Sequence, residues 1–224
     1  MRRIMLATIA TLAVLAGTAA GAASIVSNGD FSGGNSGFNS AYAYVAPGPG
    51  ALYPEGVYTV DTNPQNSHNL FSSFGDHTTG TGKFMIVNGA GIPGTTVWSQ
   101  SVGVTAGTTY NFSAFVSSLY AGSPAELDFY VGSGEGFGTL VFSTTAPAGA
   151  GTWQGVGGSF TAASNFVTLT IVNQNTVLGG NDFGLDDIAL TGGTVPEAST
   201  WAMLVFGFGL VGMAARHRKA AVAA

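Results

Sequence analysis

The stretch Tyr110-Asn111-Phe112-Ser113-Ala114-Phe115-Val116 decides the fold, because positions 110, 112, 114 and 116 are apolar or aromatic. Strict alternation is the period of a strand with one face in a core. The same beat returns in Phe166-Val167-Thr168-Leu169-Thr170-Ile171, where 167, 169 and 171 are the apolar members. Further short runs fall at 24–31, 83–88, 96–105, 126–131, 139–143, 152–161 and 183–191, parted by turns such as Thr105-Ala106-Gly107-Thr108. About nine strands with no helical period between them predict an all-β domain, an antiparallel β-sandwich.

Residues 32–80 break this rhythm. Gly33-Gly34-Asn35-Ser36-Gly37, Pro47-Gly48-Pro49-Gly50 and Asn63-Pro64 punctuate a segment that carries Tyr42, Tyr44, Tyr53 and Tyr58. Long loops with one or two short strands are expected here, and long loops on a rigid scaffold are where ligands are bound. Aromatic rings are the natural platforms for sugars, so Tyr42, Tyr44, Tyr53 and Trp153 are the candidate stacking residues. Trp98 shares strand parity with Val102 and Val104 and belongs to the core, whereas Trp153 in an unbroken strand faces away from Val156 and Phe160, an orientation that a bulge at Gly155, Gly157 or Gly158 would reverse.

Charge narrows the possible partners. Between Ser24 and Thr194 the one cation is Lys83, set against ten carboxylates, for a formal charge of −9. No cationic surface exists there to neutralise phosphates, which excludes nucleic acid. The chain has no cysteine, so neither disulfides nor thiol chemistry contribute. Signals of catalysis are weak, a glycosidase pair of Glu126 and Asp128 being the one to weigh. His68 and His77 are the histidines of this region and lie near no nucleophile motif. Glu126 and Asp128 share a strand face as solvated carboxylates, and Gly132-Ser133-Gly134-Glu135-Gly136 is a turn rather than a phosphate loop.

Both termini read as targeting segments. Arg2 and Arg3 precede an apolar stretch from Ile4 to Ala16, and Ala20-Gly21-Ala22-Ala23 supplies small residues for cleavage after Ala22 or Ala23. That is the layout of a secretory signal helix. At the other end Val195-Pro196-Glu197 leads through a spacer into an apolar run from Trp201 to Ala215, closed by Arg216-His217-Arg218-Lys219. The run makes a short transmembrane helix of roughly 22 Å, at about 1.5 Å per residue. The basic cluster resists translocation and leaves the preceding chain outside the cytoplasm. The expected organisation is a signal peptide at 1–23, a β-sandwich at 24–194 and a sorting segment with its membrane helix at 195–224.

The string Val195-Pro196-Glu197-Ala198-Ser199-Thr200-Trp201-Ala202-Met203-Leu204, with Gly207-Phe208-Gly209, Gly212 and the basic cluster, resembles the PEP-CTERM sorting signal in its Trp-Ala-Met variant. Ala198 stands where that family usually has a second proline. The resemblance implies a Gram-negative export substrate, held in the inner membrane until an exosortase cuts near Val195-Pro196-Glu197. A second resemblance rests on Ile25-Val26-Ser27-Asn28-Gly29-Asp30-Phe31, on Trp98 to Tyr110 and on Asn181-Asp182-Phe183-Gly184-Leu185-Asp186-Asp187-Ile188. These look like the galactose-binding-like jelly roll of carbohydrate-binding modules. That family often holds a structural Ca²⁺ where the first and last strands meet, which makes Asp30 and one of Asp186 or Asp187 candidate ligands. Strand parity places Asp186 on the face of Ile188 and Leu190; hydrogen bonding of the Asp pair to local amides, with no ion, is the alternative.

The expected function is that of a non-catalytic surface or extracellular-matrix protein associated with exopolysaccharide. Its alternative is a carbohydrate-binding module proper, and a polysaccharide-acting enzyme ranks behind both. Mature protein recovered outside the cell should begin near Ala23 or Ser24 and end near Pro196, by intact mass; retention of residues 201–224 on the released protein would refute the sorting assignment.

Overall fold

The computed structural model describes residues 23–133, 136–192 and 207–208. The expected signal helix and transmembrane helix lie outside those residues, as do Val195, Pro196 and Glu197. Among the described residues no helix is long and apolar enough to cross a membrane.

Ten strands are described: β1 (Ala43–Tyr44), β2 (Val57–Asp61), β3 (Phe84–Asn88), β4 (Thr95–Gly103), β5 (Thr109–Ser118), β6 (Glu126–Gly132), β7 (Thr139–Thr145), β8 (Gln154–Thr161), β9 (Phe166–Asn173) and β10 (Phe183–Gly192). They form a six-stranded sheet in the order β1-β2-β3-β10-β5-β8 and a four-stranded sheet in the order β4-β9-β6-β7. The pairings are antiparallel except that β1 lies parallel to β2. The two strands within 32–80 are β1 and β2, as the sequence leads one to expect.

The alternating residues meet between the sheets. Tyr110, Phe112, Ala114 and Val116 of β5 face Val167, Leu169 and Ile171 of β9, with Trp98, Phe129 and Leu185. Phe112 packs edge-on against Phe129 at 5.2 Å, and Phe129 stacks on Phe142 at 4.2 Å. Burying such apolar side chains is the main favourable term in folding.

β3 follows a different rule, because all five of its residues are buried. Met85 and Val87 enter the main core, while Phe84 and Ile86 join a second cluster with Leu52, Val57, Phe71 and Leu119. Phe74 and Trp153 pack against that cluster, at 5.5 Å and 5.2 Å from Phe84. The long loops therefore cover the outer face of the six-stranded sheet as a third layer.

Two expectations change. Residues 24–31 form no strand, because Asn28 and Phe31 take left-handed φ angles of 51° and 53°. The segment nevertheless lies beside β10, where Ile25 N–H donates to Leu190 O and Ile188 N–H donates to Gly29 O. The parity assigned to Asp186 also fails. Leu185, Ile188 and Leu190 face the core, but a bulge between Asp186 and Ala189, with φ of 47° at Asp187, adds a residue and turns Asp186 to the opposite face beside Phe115.

The topology separates the two ends of the sandwich. β10 begins at Phe183 beside Val87 and Ser118 and ends at Gly192 beside Tyr110. The loops at 89–94, 119–125 and 174–182 join strands at the Phe183 end, where Glu55 also leads into β2, roughly 30 Å from Gly192 at about 3.3 Å per residue. Phe112→Ala should destabilise the protein by about 3–5 kcal/mol, because it leaves a cavity among Phe129 and Phe142 that the sheets cannot close. A denaturant midpoint unchanged from wild type would contradict this core assignment.

Candidate functional site

The loop layer is built from specific local bonds. Asn63 caps a 3₁₀ turn, Pro64–Asn66, by accepting from Gln65 N–H at 3.0 Å, and Pro64 supplies the fixed φ that starts it. The buried Ser67 then ties two loops together, its hydroxyl accepting from Gly48 N–H at 3.2 Å and its carbonyl from Leu52 N–H at 3.2 Å. Gly50 sits under Tyr53 with φ of 78°, where an added Cβ would come within 3.2 Å of the ring.

These loops enclose a cleft of about 620 Å³ lined by Tyr53, Asp61, Gln65, Asn66, His68 and Asn69, among others. Tyr53 is 54% exposed, and His68 meets it edge-on at 4.9 Å. His68 in turn stacks on Phe71 at 4.2 Å, and burial holds its imidazole below the ordinary value, hence neutral at neutral pH. Asn66 Nδ2 donates to Asp61 Oδ2 at 2.9 Å. An open aromatic ring thus stands beside carboxamides that can both donate and accept.

A smaller cleft of about 230 Å³ lies on the other side of His68, lined by Glu55, Leu70, Phe71, Tyr120, Leu178 and Asp182, among others. Asp182 is 5% exposed, and its Oδ1 accepts from Gly89 N–H at 3.1 Å. Burial pushes this carboxyl up to about 7, and the Glu55 carboxylate adds to the rise. Burial raises Glu55 as well.

The four stacking candidates separate. Tyr42 is 4% exposed, its hydroxyl accepting from Ala90 N–H at 3.1 Å, so its ring is core and offers no face to a ligand. Trp153 does lie on the face away from Val156, but Phe74 and Phe84 pack against it and its Nε1–H donates to Gly75 O at 3.1 Å. It serves the third layer. Tyr44 is exposed against Tyr58, and of the four only Tyr53 lines a described cleft.

The three acidic candidates also have definite partners. Asp30 and Asp187 line one shallow groove beside β10, but Asp30 Oδ1 accepts from Ser32 N–H and Oγ–H. The buried Asp186 accepts from His77 N–H at 2.8 Å, Thr78 N–H at 3.4 Å and Asp187 N–H at 2.9 Å. Asp187 accepts from Thr78 Oγ–H and lies 2.7 Å from His77 Nδ1. Burial pushes Asp186 up to about 7 against the pull of those amides. Ca²⁺ needs six to eight oxygens turned toward it. Here both oxygens of Asp186, Oδ1 of Asp187 and Oδ1 of Asp30 accept from N–H or O–H donors. These bonds support reading the Asp pair as an anchor for the 76–78 loop.

Glu55, His68 and Asp182 were not legible as site residues. The first two sit in loops without a motif, and Asp182 is brought to them by the return of β10.

Residues 194–219 match the PEP-CTERM protein-sorting motif, so the chain carries an export-sorting signal of the exosortase type. No curated protein matches the chain. Among solved structures, it is similar to a family 61 carbohydrate-binding module in complex with β-1,4-galactotriose, with 15% identity over 76% of this chain and 99% of that one and a TM-score of 0.47. It is also similar to a family 22 xylan-binding domain from Paenibacillus barcinonensis, with 18% identity over 78% and 97% and a TM-score of 0.46. A family 16 carbohydrate-binding module shares 17% identity over 75% and 99% with a TM-score of 0.42.

The anchor assignment of the Asp pair has a direct test in thermal melts of the purified chain. Millimolar Ca²⁺ and chelator should give the same melting temperature, while Asp186→Ala should lower it by stranding the His77 and Thr78 amides, each worth about 1 kcal/mol or more. A calcium-induced rise that Asp186→Ala abolishes would show that the pair holds an ion instead.

Proposed function

We propose that this chain is an exported, exosortase-sorted protein of the cell surface or extracellular matrix, whose β-sandwich adheres to exopolysaccharide without transforming it. In this reading the amino-terminal segment directs export and is removed. The carboxy-terminal segment then holds the protein in the inner membrane of a Gram-negative cell, and exosortase cleavage near Val195-Pro196-Glu197 releases residues 24–194. The sorting motif at 194–219 supports the export half of the proposal.

The binding half is carried by one observation, the exposed Tyr53 ring standing over a cleft walled by Gln65, Asn66 and Asn69. A pyranose presents apolar C–H faces and a girdle of hydroxyls. The ring supplies the stacking surface, and the carboxamides supply paired donors and acceptors for the hydroxyls. Ser67 and the capped 3₁₀ turn fix these groups in advance, which lowers the ordering cost of binding. At a formal charge of −9 the body repels anionic polymers, so a neutral glycan is the better partner for this cleft.

The geometry suits a tethered protein. Gly192, from which the sorting segment departs, lies at the end of the sandwich opposite the loops that bear Glu55, Tyr120 and Asp182. Those loops therefore face away from the point of attachment. Tyr53→Ala should weaken binding to purified neutral matrix polysaccharide by roughly 1–2 kcal/mol, about five- to thirtyfold, in a titration that salt barely affects. Full affinity in the variant would remove the Tyr53 cleft as the glycan site. Co-fractionation with matrix in the absence of any polysaccharide binding would favour a protein partner.

A further inference from the structure

The smaller cleft holds a buried carboxyl that the protein leaves without a counter-charge. Asp182 is 5% exposed, one of its oxygens is held by a single amide, and no side-chain donor among the described residues reaches it. Glu55 lines the same cleft and raises it further. The imidazole that shares the wall, His68, is kept neutral by burial and supplies no counter-charge. Lys83 is the one described lysine or arginine, and it precedes Phe84 at the far end of β3 from Asn88, the residue that lines the cleft. A carboxylate taken out of water without a partner is costly, and a ligand that brings the missing cation recovers that cost.

The remaining walls describe the rest of that ligand. Leu70 is 65% exposed, Leu178 is 46% exposed and Tyr120 is 40% exposed, so the rim is apolar and aromatic. A bare metal ion gains nothing from such walls. At about 230 Å³ the space falls below the roughly 300–1,000 Å³ typical of drug-sized ligands, a size that suits one sugar ring. The cleft also adjoins the Tyr53 cleft through His68, so one polymer can cross both.

We propose that the Glu55–Asp182 cleft is a subsite for a protonated amino sugar, a hexosamine residue whose 2-amino group is free rather than acetylated. The ammonium pairs with Asp182 and Glu55, while the ring packs on Tyr120 and Leu178. This inference rests on the glycan-binding function proposed above and names a second sugar class for the adjoining surface. Its recognition is electrostatic, unlike that of the Tyr53 cleft.

The test is calorimetric titration of the purified full-length chain, in detergent near pH 6.5, with a glucosamine oligomer and with its fully N-acetylated counterpart. The free-amine oligomer should bind at least tenfold more tightly. Asp182→Asn, which keeps the acceptor for Gly89 N–H, and Glu55→Gln, at an exposed position, should each remove most of that preference. Asp128→Asn, an acid outside both clefts, should not. Equal affinity for the two oligomers, or a preference that Asp128→Asn reduces as much as Asp182→Asn, would overturn the subsite and leave only attraction to an acidic body. A lysine-rich peptide that binds through Asp182 while the glucosamine oligomer does not would overturn the amino-sugar assignment. Neutral glycan binding that persists at Tyr53 while the amine preference is absent would sink this inference alone, whereas failure of every glycan would sink the proposed function with it.

Discussion

The bulge at Asp186 and Asp187 is the constraint on which the rest of the structure depends. β10 lies between β3 and β5 in the six-stranded sheet, and without an extra residue its alternation would drive a carboxylate into the sandwich core. With φ of 47° at Asp187, Leu185 and Ile188 both stay inside, and Asp186 emerges on the outer face. There it is buried again, under backbone amides at His77 and Thr78. A charged or polar group in such a place persists only when its bonds are made.

That anchorage supports the third layer. His77 lies stacked on Phe115 with ring centroids 3.4 Å apart, and Phe74 and Trp153 continue the cover over Phe84. Phe71 belongs to the same buried cluster and carries His68, the wall common to both clefts. The clefts thus rest on a packed surface rather than on free loops, and a preformed surface is what weak, repetitive glycan contacts require. One segment, residues 62–82, both packs on the sheet and walls the two clefts.

The sequence made the sandwich legible because its signal is periodic. The parity of Tyr110 to Val116 and of Val167 to Ile171 alone predicts which side chains meet between the sheets. β3 was legible as a strand but not as one buried on both faces, since Phe-Met-Ile-Val has no alternation and nothing local shows that Phe71 and Phe74 will cover it. Parity also failed at Asp186, where a bulge is set by long-range bonds to residues 109 and 108 positions away. Among the aromatic residues, composition picked out Tyr53 and Tyr42 alike, and only tertiary packing separated an open ring from a core one. Glu55, His68 and Asp182 meet through three different loops, a proximity that no spacing in the chain encodes.

The central claim is that the loops at 47–71, mounted on this third layer, are a glycan-binding surface. Hydrogen–deuterium exchange of the chain with and without neutral matrix polysaccharide tests it most directly. The account predicts slower exchange on binding in residues 47–71, with the β7 and β8 edges unchanged. Protection confined to those edges, or none anywhere while the polysaccharide is bound, would contradict it.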